Sequence, residues 1–235
     1  MDCFVILDRA HDSLYSVGCD FVQHSTVDDA TKQVVLASIE FGCDTLQAVK
    51  LELERKRVVQ AAVLVRPLFE LAIRNAWASM KKDGWKILRR WWLKEEEKWA
   101  KDAYKTSELR GHADWVLHEV QREMAGLSGM KLAPSLEAMV QDMHRTGNES
   151  DPGRFIYTCY RELSQFAHAN YRWLGGGIRN AAVAQHIVIV GVWAELCVAV
   201  PAVELLGKDT KKHYKLADKL FRACSSAAFA CFGTQ

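Results

Sequence analysis

Residues 58–77 read VVQAAVLVRPLFELAIRNAW. The run is far longer than an ordinary strand of about 5–6 residues. Its few charges, Arg66, Glu70 and Arg74, recur every fourth position, which on a helix makes one stripe along an otherwise apolar cylinder. The stretch predicts a core helix at about Arg57–Met80 carrying a single ionic seam. A buried charge is costly unless paired, and Arg–Glu–Arg spacing supplies the pairing. The seam is either a structural ion-pair ladder or a wet face, or it is the polar floor of a pocket. Pro67 sits inside it and removes one helical hydrogen bond.

The other stretch of this kind is Ile187–Leu206, IVIVGVWAELCVAVPAVELL. It is long enough to span a bilayer, which takes about 20 residues. Glu195 near its centre, however, would cost about 2.5–3.5 kcal/mol in lipid, and Pro201 and Glu204 interrupt it. The expectation is a central bundle helix and no membrane partner.

Between and around these rods the apolar periodicity is helical. It predicts helices at Asp2–Val17, from Asp28-Asp29 to about Glu54, Trp85–Glu108, Ala113–Ala125, Pro134–Arg145, Arg154–Asn170 and Thr210–Phe229. Thr146–Gly153 (TGNESDPG) is loop chemistry, and Gly175-Gly176-Gly177 closes the helix before the long apolar one, which starts near Arg179. No repeat, low-complexity tract or strand pattern stands out. The fold class expected is all-α: one single-domain helical bundle over 1–235 with long central helices.

The composition agrees. Of 235 residues 49% are hydrophobic and 26% charged, with four prolines and a net charge of +2, which excludes a disordered tail or collagen-like fibre and leaves no bulk charge to attract nucleic acid or anionic lipid. Seven cysteines, none in a CxxC pair, point to free thiols in a reducing compartment rather than a disulfide framework or zinc site. The start, MDCFVILDRAHD, lacks the basic end and long apolar core of a secretory signal. The expected location is cytoplasmic.

The helix Arg154–Asn170 carries the one chemical motif. Its apolar face is Ile156, Cys159, Tyr160, Leu163, Phe166 and Ala167; the opposite face holds Tyr157, Arg161, Ser164, Gln165 and His168. Arg161 and His168 are seven apart, two turns along the same side. This face offers a permanent cation, a hydroxyl, an amide and a group that titrates near neutrality. Arginine can hold a phosphate and stabilise charge developing on it. Histidine can take a proton from a ribose 2′-hydroxyl or give one to a leaving oxygen. Such chemistry needs no metal and no cofactor. The plainer alternative is a structural histidine on a helix surface.

Arg161-Glu-Leu-Ser-Gln-Phe-Ala-His168 resembles the signature of the HEPN superfamily, in which an arginine, a polar residue and a histidine share one helix of an all-α bundle. Many of its members are metal-independent endoribonucleases of toxin–antitoxin, abortive-infection and other prokaryotic defence systems, often dimers that bring two such helices together. The resemblance implies Arg161 and His168 as the catalytic pair, Tyr157, Ser164 and Gln165 as supporting groups, RNA as substrate, and a homodimer or antitoxin-like partner. Glu162 departs from the pattern, since Asn, Asp or His is usual there and a carboxylate repels phosphate.

A second resemblance spans about residues 30–205. Arg66-Pro-Leu-Phe-Glu70 followed by Leu163-Ser164 and His168 is similar to an uncharacterised bacterial family of helical proteins with an R-x-x-x-E helix and an L-S-x-x-x-H helix. It implies that Arg66, Glu70, Ser164 and His168 meet in one pocket. The competing class of function is a non-enzymatic helical binding or regulatory protein.

Two further segments invite weighing. Residues 81–105 carry seven Lys and two Arg against three Glu and two Asp, interleaved with Trp85, Trp91, Trp92 and Trp99. They read either as a face for single-stranded nucleic acid or as an amphipathic helix docking its tryptophans under a salt-bridged surface. His112 and His118 are six apart, not the i, i+4 spacing of a helical metal pair.

Overall fold

The computed structural model describes residues 2–146, 158, 160, 161, 164 and 180–232. Among these there are eight helices and no strand: α1 (Cys3–His24), α2 (Asp29–Glu54), α3 (Val58–Ser79), α4 (Gly84–Ala103), α5 (Arg110–Gly126), α6 (Leu136–Thr146), α7 (Asn180–Leu205) and α8 (Lys211–Phe232). The protein is all-α, and its principal core is built on the two apolar rods. α7 packs against α1, α2, α3 and α8, and α3 packs against α2, α4, α6 and α7. Ile187, Val188, Val190, Val192, Ala194 and Ala199 of α7 are fully buried, as expected of a helix apolar on every side. By length and composition Val183–Leu205 could cross a membrane, yet 83% of its apolar window is buried by the other helices.

Local chemistry explains the boundaries. Asp2 accepts a hydrogen bond from the Phe4 amide and Asp28 from the Thr31 amide, each satisfying an otherwise orphaned donor at a helix start. α1 runs seven residues past the expected end at Val17, because Phe21 continues the buried stripe Ala10, Leu14, Val17. Gly18 does not break the helix. A Cβ there would lie 2.9 Å from Ile39 Cγ2, so this glycine serves the close approach of α1 to α2. α6 begins two residues later than the expected Pro134, since Ser135 caps it through the Ala138 amide. α4 stops at Ala103, five residues short of Glu108. Pro67 is accommodated inside α3 at an exposed position, and Val63, whose carbonyl would otherwise accept from residue 67, is itself 41% exposed.

The expected loop at 147–153, most of Arg154–Asn170 and the Gly175–Gly177 turn lie outside the described residues. Within that helix Thr158, Tyr160, Arg161 and Ser164 are each helical.

Of the thiols described, Cys3, Cys43 and Cys224 are buried and Cys19 is exposed. Burial pushes the Cys43 thiol up to about 11 and Cys224 up to about 12. Because the thiolate is the nucleophile, alkylation of the native protein at mildly alkaline pH should modify Cys19 and spare Cys3, Cys43 and Cys224 until denaturant is added. Peptide mapping checks this; labelling of Cys224 as fast as Cys19 would contradict the packing.

Candidate functional site

The ionic seam on α3 forms as its spacing requires. Glu70 lies 3.4 Å from Arg66 Nε through Oε1 and 3.5 Å from Arg74 Nη1 through Oε2. The seam does not stand alone. Arg66 Nε donates to Tyr160 Oη at 3.3 Å, and the Tyr160 hydroxyl donates to Glu70 Oε1 at 2.7 Å. The Tyr160 ring stacks on Phe69 at 4.6 Å, and Phe69 stacks on Trp193 of α7 at 5.0 Å. One residue of the motif-bearing helix is thus held by hydrogen bonds at its polar tip and by stacked rings along its body, the usual double service of a buried tyrosine.

Burial pushes the Tyr160 phenol above its ordinary range, with Arg66 opposing. The hydrogen bond to Tyr160 is the largest cause holding the Arg66 guanidinium above its usual value. Arg74 goes the other way: burial pulls it down, with Glu70 opposing. Its guanidinium carbon sits 4.4 Å from the centroid of the Trp91 ring, within cation–π range.

The expected site residues divide as follows. Arg66, Glu70 and Arg74 converge with Tyr160. Ser164, one turn on from Tyr160, donates its hydroxyl back to the Tyr160 carbonyl at 2.9 Å. Arg161 is exposed. Tyr157, Gln165 and His168 lie outside the described residues. Tyr160 was to be expected only on the apolar face, where it does sit, 8% exposed; its hydroxyl is what the composition of that face conceals. The signal was available, because an arginine–glutamate seam on a core helix needs a polar partner from whatever packs on it.

Beside this junction, between α2, α3 and α4, lies a cleft of about 340 Å³ whose walls include Phe41, Pro67, Glu70, Arg74, Trp91 and Trp92. A larger groove of about 820 Å³ runs along α1 and α2 past Tyr15, Cys19 and Cys43; it touches none of the residues singled out in the sequence.

The basic, tryptophan-rich segment follows its structural alternative. Trp85 is buried, and Trp91 and Trp92 pack on the principal core. Its charges pair: Arg89 with Glu123, Lys94 and Lys101 with Glu97, Lys98 with Glu95. Trp99 is the exception, 47% exposed and edge-on to His112, which stacks in turn on Trp115. Among the described residues no three His, Cys, Asp or Glu side chains gather as a metal site.

No protein-family model, curated protein or solved structure matches this chain.

Proposed function

We propose that this protein is a metal-independent endoribonuclease of the HEPN-like, defence or toxin–antitoxin kind, acting on RNA in the cytoplasm as a homodimer or under an antitoxin-like partner. The observation that carries the reading is Arg161: an exposed cation one position after Tyr160, whose side chain is pinned to α3 by Arg66, Glu70 and Phe69. A guanidinium on an anchored backbone is preorganised for phosphate, and preorganisation is where electrostatic catalysis gets most of its effect.

In the proposed reaction a histidine takes the proton of a ribose 2′-hydroxyl. The 2′-oxygen then bonds to phosphorus, the bond from phosphorus to the 5′-oxygen breaks, and that oxygen leaves with a proton from an acid. The products carry a 2′,3′-cyclic phosphate and a 5′-hydroxyl. His168 supplies one proton transfer, and His168 of a second copy supplies the other in a dimer that faces two such helices together. Arg161 holds the phosphate, with Ser164, Tyr157 and Gln165 as positioning groups. Arg66, Glu70 and Arg74 support that helix from α3.

A second reading has its own support. Glu70 receives the Tyr160 hydroxyl and lies within 4 Å of two arginines, an arrangement that a purely structural clamp in a binding or regulatory protein would also use. Incubating the full-length chain with single-stranded RNA in EDTA separates the two. Cleavage leaving cyclic phosphate ends is expected; intact RNA at high protein concentration, with the fold preserved, overturns the nuclease and favours the second reading.

A further inference from the structure

Arg74 is a guanidinium short of partners at the wall of a cleft. It is 15% exposed, and among the described residues its one ionic partner within 4 Å is Glu70, at 3.5 Å. Its guanidinium carbon lies 4.4 Å from the centroid of the Trp91 ring, and an arginine beside an aromatic ring can still present its planar fork of N–H groups to a ligand. Glu70 lines the same wall, its Oε2 3.5 Å from Arg74 Nη1. A donor set and an acceptor therefore stand side by side, between aromatic walls.

We infer that the α2–α3–α4 cleft is a nucleobase site that prefers guanine. Its volume, about 340 Å³, falls in the range of about 300–1,000 Å³ usual for small-ligand pockets. Phe41, 42% exposed, and the half-buried Trp92 offer planar or apolar surfaces, and proteins that read an unstacked base hold it between such side chains while hydrogen-bonding its edge. Guanine places two donors, N1–H and the exocyclic N2–H, beside the O6 acceptor. A carboxylate answers the donors, and a guanidinium answers O6 and N7. Uracil has a single N–H between two carbonyls, and adenine and cytosine set one amino group beside a ring-nitrogen acceptor, so each leaves part of the pair unmatched.

The inference deepens the proposed function and rests on it only for the source of the base. Tyr160 fixes the Glu70 carboxylate and directly precedes Arg161 in the chain, so a base on α3 and a phosphate on Arg161 would be organised by one junction. A free guanine nucleotide would be recognised by the same chemistry.

The test titrates the full-length protein with GMP, AMP, CMP and UMP, read by tryptophan fluorescence and equilibrium dialysis. GMP should bind, with the others weaker by about 5–150-fold, the discrimination of one good bidentate pair. Ala37→Phe, at an exposed α2 position on the cleft wall, fills the space without entering the core. Arg74→Lys keeps the charge and removes the fork. Each should weaken GMP binding by at least about tenfold with circular dichroism unchanged.

No GMP binding at millimolar concentration, equal binding of all four nucleotides, or GMP binding indifferent to Ala37→Phe overturns the assignment. A short unstructured RNA with one guanine that displaces GMP supports the site with RNA as the source; GMP binding without displacement supports it with a free nucleotide. GMP binding together with intact RNA defeats the nuclease and leaves the cleft standing. Cleavage in EDTA without GMP binding defeats the cleft alone.

Discussion

On the proposed ribonuclease reading, His168→Ala is expected to lower RNA cleavage by about 10²–10⁴-fold, the usual contribution of a positioned general acid or base, and to leave the melting temperature of the protein where it was. The expectation follows from the chemistry required. Water at neutral pH is a poor base for a ribose hydroxyl, and the motif Arg161–His168 contains one residue type that ionises in that range. Arg161→Ala should lose cleavage as well, through weaker phosphate binding and weaker stabilisation of charge at phosphorus. The pair are expected to be non-additive, because two groups acting on one phosphate form a unit. A histidine that merely braces the bundle gives the opposite pattern. His168→Ala would then melt early, and the fraction that stays folded would cut RNA like the parent.

His213→Ala is expected to remove about 1–3 kcal/mol of stability, the cost of leaving a buried polar group without its neighbour. Glu195 is 0% exposed in the middle of α7, and His213 of α8 is 4% exposed. The His213 Nδ1 lies 3.8 Å from Glu195 Oε1 and 3.3 Å from Ser13 Oγ of α1. Among the described residues neither Glu195 oxygen has a hydrogen-bond partner, nor has His213 Nε2. With the ring gone, the buried Glu195 side chain loses the polar neighbour that α8 places beside it. Replacing both residues, Glu195→Met with His213→Leu, should recover most of the loss, since well-packed apolar groups often match or exceed a buried ion pair. Urea denaturation of the two single variants and the double one decides. If the double variant loses the sum of the single losses, the residues do not sense each other.

This pair illustrates how far the sequence could be read. Glu195 was legible as an argument against a lipid-spanning helix, because a lone carboxylate among valines needs a reason. Its companion was not legible: His213 lies eighteen positions on, in a helix whose stripe of His213, Ala217, Leu220 and Cys224 shows only which side is buried. The α3 seam was legible for the same reason as Glu195, from charges at fixed intervals on an apolar rod. Its third dimension was hidden, since Tyr160 reaches it from 90 residues away and looked like one more apolar-face aromatic. The α1 end differs from the expected Val17 because Gly18 sits at a close contact with α2, and the α6 start differs because Pro134 precedes the capping Ser135 instead of opening the helix.

The central position of α7 also bears on how the chain comes into being. α1, α2 and α3 leave the ribosome well before the helix that packs on all three, so Leu7 and Leu46, which meet it at Gly191, gain that cover only when residues 180–205 are made. Long-range closure of this kind slows folding and leaves greasy surface open to wrong partners meanwhile. Gly191 marks where the latecomer slots in. A methyl group there would sit 3.2 Å from both Leu7 and Leu46, and the bare backbone lets this rod slide home between two that were made before it.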